Sequence, residues 1–264
     1  MLRPNTRVVT FANQKGGTGK STVTANVAAA AGERGQRVLV VDVDPQADAS
    51  TMLGVDPFAE GRKTLFNVML GECEIPEATA RDVVKGVDVV VGHPDMSQVE
   101  IQLSGQMRRE EFLLKALFDH VDEYDLVLID SPPNLGLLTI NALVAANDVV
   151  GVVSMVDLNA YKGVLALMNT LEELRSNRID VRLAGIAKTQ VERKRLTYQA
   201  LQEEMAEEDL PMFRSEIPLA AAFHNAGASS VPLVLFAPDH VAASKVRELT
   251  TEILEAGVVA EAAA

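Results

Sequence analysis

The chain has 264 residues, 48% of them hydrophobic, and a formal net charge of −13. This length suits one α/β domain, and no run of about 18 apolar residues predicts a membrane-spanning helix. The single cysteine, Cys73, excludes a disulfide framework within the chain and favours a reducing, cytoplasmic location. Because the overall charge repels DNA and acidic membranes, contact with nucleic acid would require a local basic patch or one assembled by dimerisation.

Short apolar runs alternate along the chain with segments of helical spacing. Residues 1–5 carry no apolar signal segment and lead directly into the first run. Each run is continuous and rich in β-branched residues, which is typical of strands covered on both faces. The predicted strands are 7–13, 37–42, 87–91, 126–130, 149–154 and 181–187, and the predicted helices are 20–34, 98–120, 163–177, 196–208 and 239–255.

The order of these elements predicts the fold class. Strand followed by helix, repeated, indicates a parallel sheet with right-handed crossovers. We therefore expect an α/β fold with a doubly wound, mostly parallel sheet and helices on both faces, formed by a single domain over residues 1–264. Because the chain begins at its first strand, we expect no N-terminal helix-turn-helix domain and no specific operator binding.

A glycine-rich segment, QKGGTGKST at residues 14–22, lies between the first predicted strand and the first predicted helix. Its end matches the phosphate-loop pattern, although Gln14 stands where the first glycine is usual. Three glycines let the backbone N–H groups turn toward phosphate oxygens, and the following helix adds its positive end. Lys20 can then reach the β- and γ-phosphates, and the Ser21 hydroxyl can ligate Mg²⁺. A glycine-rich turn that binds nothing is the alternative.

Lys15 lies within the same loop. A positive charge at this position is repelled by Lys20, so we expect an anion to offset the repulsion, and a triphosphate is the obvious one. Lys15 could serve the nucleotide of its own subunit or one across a dimer interface. The alternative is a solvated loop lysine.

Aspartates follow two predicted strands, in VDVDPQ at residues 41–46 and LIDSPP at residues 128–133. Ligands of open α/β sheets bind at the carboxyl ends of strands, so these carboxylates should face the phosphates. An apolar strand ending in aspartate is the Walker-B arrangement, which suits Asp130 as a Mg²⁺ residue. Asp44 lies just beyond its strand, where it can orient the attacking water. Aspartate also forms ordinary turns after strands, which is the alternative for each one alone.

Three segments together resemble the ParA/Soj branch of the ParA–MinD ATPases, the deviant-Walker motors of DNA segregation. They are FANQKGGTGKST at residues 11–22, VVDVDPQAD at residues 40–48 and YDLVLIDSPPNLGLLTINAL at residues 124–143. The likeness extends over nearly the whole chain. One departure is HNAG at residues 224–227, where the family usually carries Ser-Glu-Ala-Pro.

The resemblance assigns roles to the candidate residues. It implies that Lys15 enters the partner subunit's site in an ATP-sandwich dimer, that Asp44 activates water, and that Asp130 is the Walker-B acid. Mg²⁺ would lie among Ser21, Asp44 and Asp130. The residues implied to contact ATP are Gly16, Gly17, Thr18, Gly19, Lys20, Ser21 and Thr22 at the phosphates and Pro218 beside the adenine.

The resemblance also implies a cycle. Hydrolysis is slow in the absence of a partner, the ATP-bound homodimer binds double-stranded DNA nonspecifically on the nucleoid, and a ParB-like protein stimulates hydrolysis and release. A positioning ATPase for a protein cargo would share every motif. A MinD-like membrane-cycling ATPase is less favoured, because the tail at residues 255–264 has two acids and no Lys or Arg. A redox relative would need two cluster cysteines.

The best local basic cluster is Arg193-Lys194-Arg195, after the sixth predicted strand and at the start of a helix. Two copies in a dimer would give salt-dependent phosphate contacts without sequence specificity. A solvated surface triplet is the alternative. Candidates to extend this patch are Arg108, Arg109, Arg175 and Arg178.

Overall fold

The strands follow the apolar runs of the sequence. The computed structural model describes residues 6–208 and 210–261. Within those ranges the strands are β1 (Arg7–Ala12), β2 (Val38–Asp42), β3 (Thr79–Val84), β4 (Val87–Val90), β5 (Leu126–Asp130), β6 (Asp148–Ser154), β7 (Arg182–Val191) and β8 (Met212–Pro218).

The helices in the same ranges lie between these strands and after the last one. They are α1 (Lys20–Glu33), α2 (Asp48–Met52), α3 (Leu65–Met69), α4 (Met96–Leu103), α5 (Phe112–Leu117), α6 (Leu137–Val144), α7 (Asn159–Ser176), α8 (Leu196–Glu207), α9 (Ala221–Ala228), α10 (Leu233–Phe236) and α11 (Val241–Glu261). None of these helices combines the length and apolarity needed to span a bilayer.

The eight described strands form one sheet in the order β3-β4-β2-β5-β1-β6-β7-β8. Every neighbouring pair is parallel except β3 with β4. Apolar clusters cover both faces of the sheet. The predicted doubly wound, mostly parallel α/β fold is therefore confirmed. The connection from β1 to β2 and the connection from β5 to β6 run in opposite directions across the sheet, so the crevice for a ligand opens at the carboxyl ends of β1 and β5.

The helix predicted over residues 98–120 is wrong. The chain leaves α4 after Leu103, passes Arg108 with a positive φ of 54°, and starts α5 at Phe112. The Asn141 side chain stabilises this break, because its amide donates to the Arg109 carbonyl at 2.9 Å and its oxygen accepts from the Leu113 N–H at 3.1 Å. A side chain about 30 residues away thus replaces hydrogen bonds that a continuous helix would make within itself.

Two strands at the sheet edges, β3 and β8, were not predicted. Both have a partly exposed face and lack the continuous apolar run of the inner strands. The closing helix, predicted over residues 239–255, continues as α11 to Glu261. The predictions for residues 1–5 and for the last three residues of the tail lie outside the described residues.

Edge strand β8 is covered by α11. The Glu252 carboxylate on this helix accepts hydrogen bonds from the backbone N–H groups of Arg214 at 2.7 Å and Ser215 at 2.9 Å. Both N–H groups lie where the register between β7 and β8 is irregular. A side chain of α11 therefore satisfies two N–H groups of the edge strand.

Candidate functional site

The phosphate loop leaves the carboxyl end of β1 and enters α1. Gly17 and Gly19 have φ values of 73° and 86°, in the left-handed region that favours glycine. Gly19 is the N-cap of α1, so the first N–H groups of a long helix open toward the loop. The buried Thr18 Oγ1 has no hydrogen-bond partner in the described part of the chain. The loop thus has the backbone shape and the unsatisfied groups of a phosphate site.

Lys20 is buried, with 5% of its surface exposed. Burial lowers the pKa of Lys20, and the nearby carboxylates of Asp130 and Asp44 oppose that shift. A buried ammonium group still attracts a further anion when the neighbouring carboxylates do not occupy all of its hydrogen-bond donors. Lys20 is therefore suited to hold phosphate from inside the loop.

Three aspartates converge from the ends of β2 and β5. Asp42 and Asp130 are fully buried, and Asp44 is 6% exposed. Burial raises the pKa of Asp42 to about 7, and it raises the pKa values of Asp44 and Asp130, the latter strongly. Asp42 Oδ1 and Asp130 Oδ2 have no hydrogen-bond partner among the described residues. A cation would relieve this concentration of buried carboxyl groups.

The residues present fit Mg²⁺ only as part of a larger set of ligands. The nearby Ser21 hydroxyl opposes the rise in the pKa of Asp130, so two of the predicted metal residues lie close together. Asp44 Oδ1 accepts the Gln46 N–H at 2.9 Å. In the described residues, no group of three or more His, Cys, Asp or Glu side chains is arranged to hold a metal. This agrees with the coordination of Mg²⁺, which is usually completed by water and substrate phosphates.

Lys15 differs from Lys20 in its surroundings, because its side chain is 44% exposed and its Nζ lies 3.5 Å from Asp157 Oδ2. Its backbone N–H donates to Asn13 Oδ1 at 2.8 Å. The Asn13 amide in turn donates to carbonyls of Val152 and Ala160. Asp157 is an anion that sequence reasoning missed, and no local pattern links it to the loop.

A cleft of about 200 Å³ opens beside the start of α1. Pro218, predicted beside the adenine, lies in its wall with Gly19 and Thr22 of the loop. Further wall residues that sequence reasoning missed are Thr189, Gln190, Phe223 and His224.

The end of β7 joins this cleft to the phosphate loop. Thr189 Oγ1 donates to the Thr18 carbonyl at 2.6 Å, and Gln190 Nε2 donates to the Gly17 carbonyl at 3.0 Å. Gln190 adopts a positive φ of 52°, which is uncommon for a residue other than glycine. These two side chains fix the loop from outside and leave its N–H groups free to face inward.

The triplet Arg193-Lys194-Arg195 follows β7 and lies, like the phosphate loop, at the carboxyl ends of the parallel strands. Arg193 pairs with Glu216 and Arg195 pairs with Glu192, so both arginines already have a carboxylate. Among the described residues no ion pair involves Lys194. The triplet therefore lies near the cleft, but with less free charge than its sequence indicates.

The proposed extension of this basic patch is wrong for Arg175 and Arg178. Helix α7 starts after the carboxyl end of β6 and ends before β7. Its last turn therefore lies at the amino ends of the strands, on the side of the sheet opposite the loop. Arg175 Nε donates there to the Val181 carbonyl at 2.8 Å. Arg108 and Arg109 are engaged in the break between α4 and α5, with Glu111 and the Ser104 carbonyl.

The fold and this site together define a P-loop nucleotide-binding protein of the deviant-Walker kind. Comparison with known proteins agrees: residues 6–184 match the AAA domain family. The chain is 35% identical to chromosome partitioning protein ParA of Caulobacter vibrioides, over 86% of this chain and 84% of that protein. It is 34% identical to the chromosome-partitioning ATPase Soj of Thermus thermophilus, over 96% and 98% respectively. The chain belongs to the AAA domain family and is an ATPase of the ParA/Soj partition type.

A solved structure supports the same fold. Cobyrinic acid a,c-diamide synthase from Mycobacterium smegmatis, with bound ADP and magnesium, is 31% identical and superposes with a TM-score of 0.82 over 94% of each chain. That protein therefore has the same architecture over nearly its whole length.

Proposed function

We propose that this chain is a DNA-segregation ATPase that binds ATP with Mg²⁺, forms an ATP-sandwich dimer, and binds double-stranded DNA nonspecifically in that state. The observation that carries the proposal is the contrast between the two lysines of the loop. Lys20 is 5% exposed and serves the nucleotide of its own subunit. The Lys15 side chain is 44% exposed and is accessible to a second subunit.

The proposal gives each site residue a role. Gly16, Gly17, Thr18 and Gly19 surround the phosphates with backbone N–H groups and the Thr18 hydroxyl, and Thr22 and Pro218 lie in the cleft that receives the nucleoside. Ser21 and Asp130 hold Mg²⁺, with Asp44 nearby. When bound, Mg²⁺ neutralises charge on the phosphates.

Asp44 is the residue proposed to orient the attacking water and to accept its proton. Its carboxylate is held by the Gln46 N–H at 2.9 Å, which fixes its direction beside the loop. Burial raises the pKa of Asp44, and a raised pKa makes a carboxylate a better base. Lys15 of the partner subunit then stabilises the charge that develops on the phosphates. Because this lysine arrives only on dimerisation, hydrolysis is slow until a ParB-like protein favours the complete site.

DNA contact is assigned to Arg193, Lys194 and Arg195, which lie beside the cleft wall. A dimer brings two such turns together, so an acidic chain can bind phosphate only after ATP has assembled the pair. A specific observation favours a second candidate, the positioning of a protein cargo: both arginines of the turn are already paired with carboxylates of their own chain.

Binding to a random-sequence DNA duplex, measured with ATP, with ADP and without nucleotide across a salt series, separates these functions. We expect binding only with ATP, a steep decrease with salt, and loss in the Arg193→Ala, Lys194→Ala, Arg195→Ala triple variant. A matched triple change to alanine at Arg81, Lys85 and Arg37, three cations remote from the cleft, should leave binding intact. If the native chain hydrolyses ATP but binds no DNA in any state, the protein-cargo function replaces DNA segregation.

A further inference from the structure

The side chain of Glu216 contacts the turn at residues 192–195, called the basic turn below, and bonds to three residues in all. Its Oε1 accepts from Lys188 Nζ at 2.7 Å and from the Tyr198 hydroxyl at 2.8 Å. Its Oε2 accepts from Arg193, with both Nε and a terminal nitrogen at 2.8 Å. The Glu216 side chain is 10% exposed and that of Lys188 is 9% exposed, whereas that of Arg193 is 75% exposed. A mostly buried carboxylate therefore holds one exposed arginine by its inner edge.

The charges of this cluster do not cancel. Lys188 and Arg193 contribute two cations and Glu216 one carboxylate, which leaves one net positive charge. Lys188 is buried and cannot present it, so the charge faces solvent through the guanidinium of Arg193. Burial alone would raise the pKa of Glu216, but the hydrogen bonds from Lys188, Tyr198 and Arg193 hold it below its ordinary value. Glu216 thus remains an anion.

The position of the cluster connects it to the nucleotide cleft. Lys188 and Glu216 are directly opposite each other on β7 and β8. Two residues further along each strand come Gln190 and Pro218, which both line the cleft. Arg193 is therefore anchored to the two strands whose ends form the cleft wall.

We propose that Glu216 is a positioning residue that orients Arg193 toward the phosphate backbone of duplex DNA, while the buried Lys188 offsets its charge. The remaining N–H groups of the guanidinium point away from the carboxylate and are suited to a phosphate oxygen. Holding a long side chain in one orientation reduces the conformational entropy lost on binding. This inference rests on the DNA binding proposed above.

The direction in which Glu216→Gln changes DNA affinity shows whether Glu216 positions Arg193 or only neutralises its charge. Glu216→Gln removes a negative charge beside a basic turn, so simple electrostatics predicts tighter DNA binding. Positioning predicts the opposite, because the amide has one accepting oxygen in place of two and cannot hold both Lys188 and Arg193 as the carboxylate does. We expect the ATP-bound dimer of Glu216→Gln to bind a random-sequence duplex roughly tenfold more weakly, with a salt dependence reduced by about one phosphate contact per subunit.

Two comparisons make this test specific. Arg193→Ala should give the same loss, and combining it with Glu216→Gln should cause no further loss, because both changes remove one contact. Glu192→Gln removes an equal charge from the exposed Arg195 pair of the same turn, where both side chains are 47% exposed. This control should bind DNA as well as the native chain or slightly better.

If Glu216→Gln fails to fold, a variant that removes the charges of both Lys188 and Glu216 provides the same test. Lys188→Met combined with Glu216→Met keeps apolar bulk and leaves no unpaired buried charge, and it should fold and lose the same DNA affinity. Native or tighter DNA binding by either Glu216 variant would overturn the positioning role alone. Absence of DNA binding by the native ATP-bound chain would overturn both this role and the proposed DNA binding.

Discussion

The phosphate loop and the basic turn at residues 192–195 both lie at the carboxyl ends of the parallel strands. Their polar groups differ in how many have a partner within the chain. In the loop and at the ends of β2 and β5 beside it, Thr18 Oγ1, Asp42 Oδ1 and Asp130 Oδ2 are buried with no hydrogen-bond partner in the described part of the chain. At the turn, Arg193 and Arg195 each already pair with a carboxylate. Since buried polar groups are normally hydrogen-bonded, the loop is a site that needs its ligand, whereas the turn is stable without one.

The largest expected effect is on the rate of ATP hydrolysis at the phosphate site. Asp44→Ala should lower kcat for ATP by about 10²- to 10⁴-fold, because the group that orients water is lost. ATP affinity should be retained, and single-turnover hydrolysis together with nucleotide titration measures both. Asp48→Ala removes a carboxylate four residues further on, at the start of α2, and should hydrolyse ATP normally. Native turnover in Asp44→Ala would assign the water to another residue.

The clustered carboxyl groups predict an unusual dependence of stability on pH. Burial raises the pKa of Asp42 from 3.8 to about 7, so the folded nucleotide-free chain binds this proton more tightly than the unfolded chain. Stability from this group is therefore present at low pH and is lost as pH rises toward 7. Between pH 5 and pH 8 the free energy of unfolding should fall by about 2–3 kcal/mol. Asp44 and Asp130 shift in the same direction.

Asp42→Asn tests this assignment by denaturant unfolding at both pH values. The amide keeps an oxygen for the two hydrogen bonds from Ser50 and replaces the carboxyl proton with N–H groups. We expect the part of the decline that belongs to Asp42 to disappear, while Asp44 and Asp130 still contribute. An unchanged decline would place the titrating proton on another group.

Lys15→Ala tests the difference between the two lysines. Hydrolysis should fall about 10²-fold, the size expected when one charge-stabilising donor is removed. Nucleotide affinity of the monomer should stay close to native because Lys20 remains in place. Mixing Lys15→Ala with Asp44→Ala gives a mixed dimer with one site that has both an intact Asp44 and a partner Lys15, so partial recovery of activity is expected. Absence of recovery would argue against a role across the interface.

A smaller effect is expected in the cleft. Phe223→Ala removes an aromatic wall and should weaken nucleotide binding about two- to tenfold. Phe236→Ala, at a phenylalanine that is 45% exposed and outside the cleft wall, is the control. Equal affinities for the two variants would place the nucleoside elsewhere.

The smallest expected effect is at the turn. Lys194→Ala should weaken DNA binding by the ATP-bound dimer about two- to threefold and reduce the salt dependence by about one contact per subunit. Lys245→Ala, which breaks an exposed pair with Glu248 on α11, controls for the change in net charge. A loss as large as that in the triple variant would mean that the paired arginines contribute nothing.

Sequence patterns predicted the parts of the molecule that local chemistry determines. The inner strands appeared as apolar runs, and β5 has its predicted bounds of Leu126–Asp130. The phosphate loop was recognisable because its glycines and lysines are adjacent in the chain. Edge strands β3 and β8 escaped prediction because a partly exposed strand lacks the continuous apolar run of a buried one.

Residues that depend on long-range contacts could not be predicted in the same way. Asp157 reaches Lys15, and Gln190 reaches the Gly17 carbonyl, across more than a hundred positions of sequence. The carboxylate partners of the basic turn show the same limit. Glu192 is close in sequence to Arg195, but Glu216 comes from the neighbouring strand and pairs with Arg193 only when β7 and β8 lie side by side.

The contact of Glu252 with β8 has a consequence for self-association. An exposed edge strand is a template onto which another chain can add its own strand. The Glu252 carboxylate occupies the Arg214 and Ser215 N–H groups, so another strand cannot pair with these two groups as long as α11 stays in place. Proteolytic removal of α11 should therefore produce filaments or aggregates in addition to a less stable monomer.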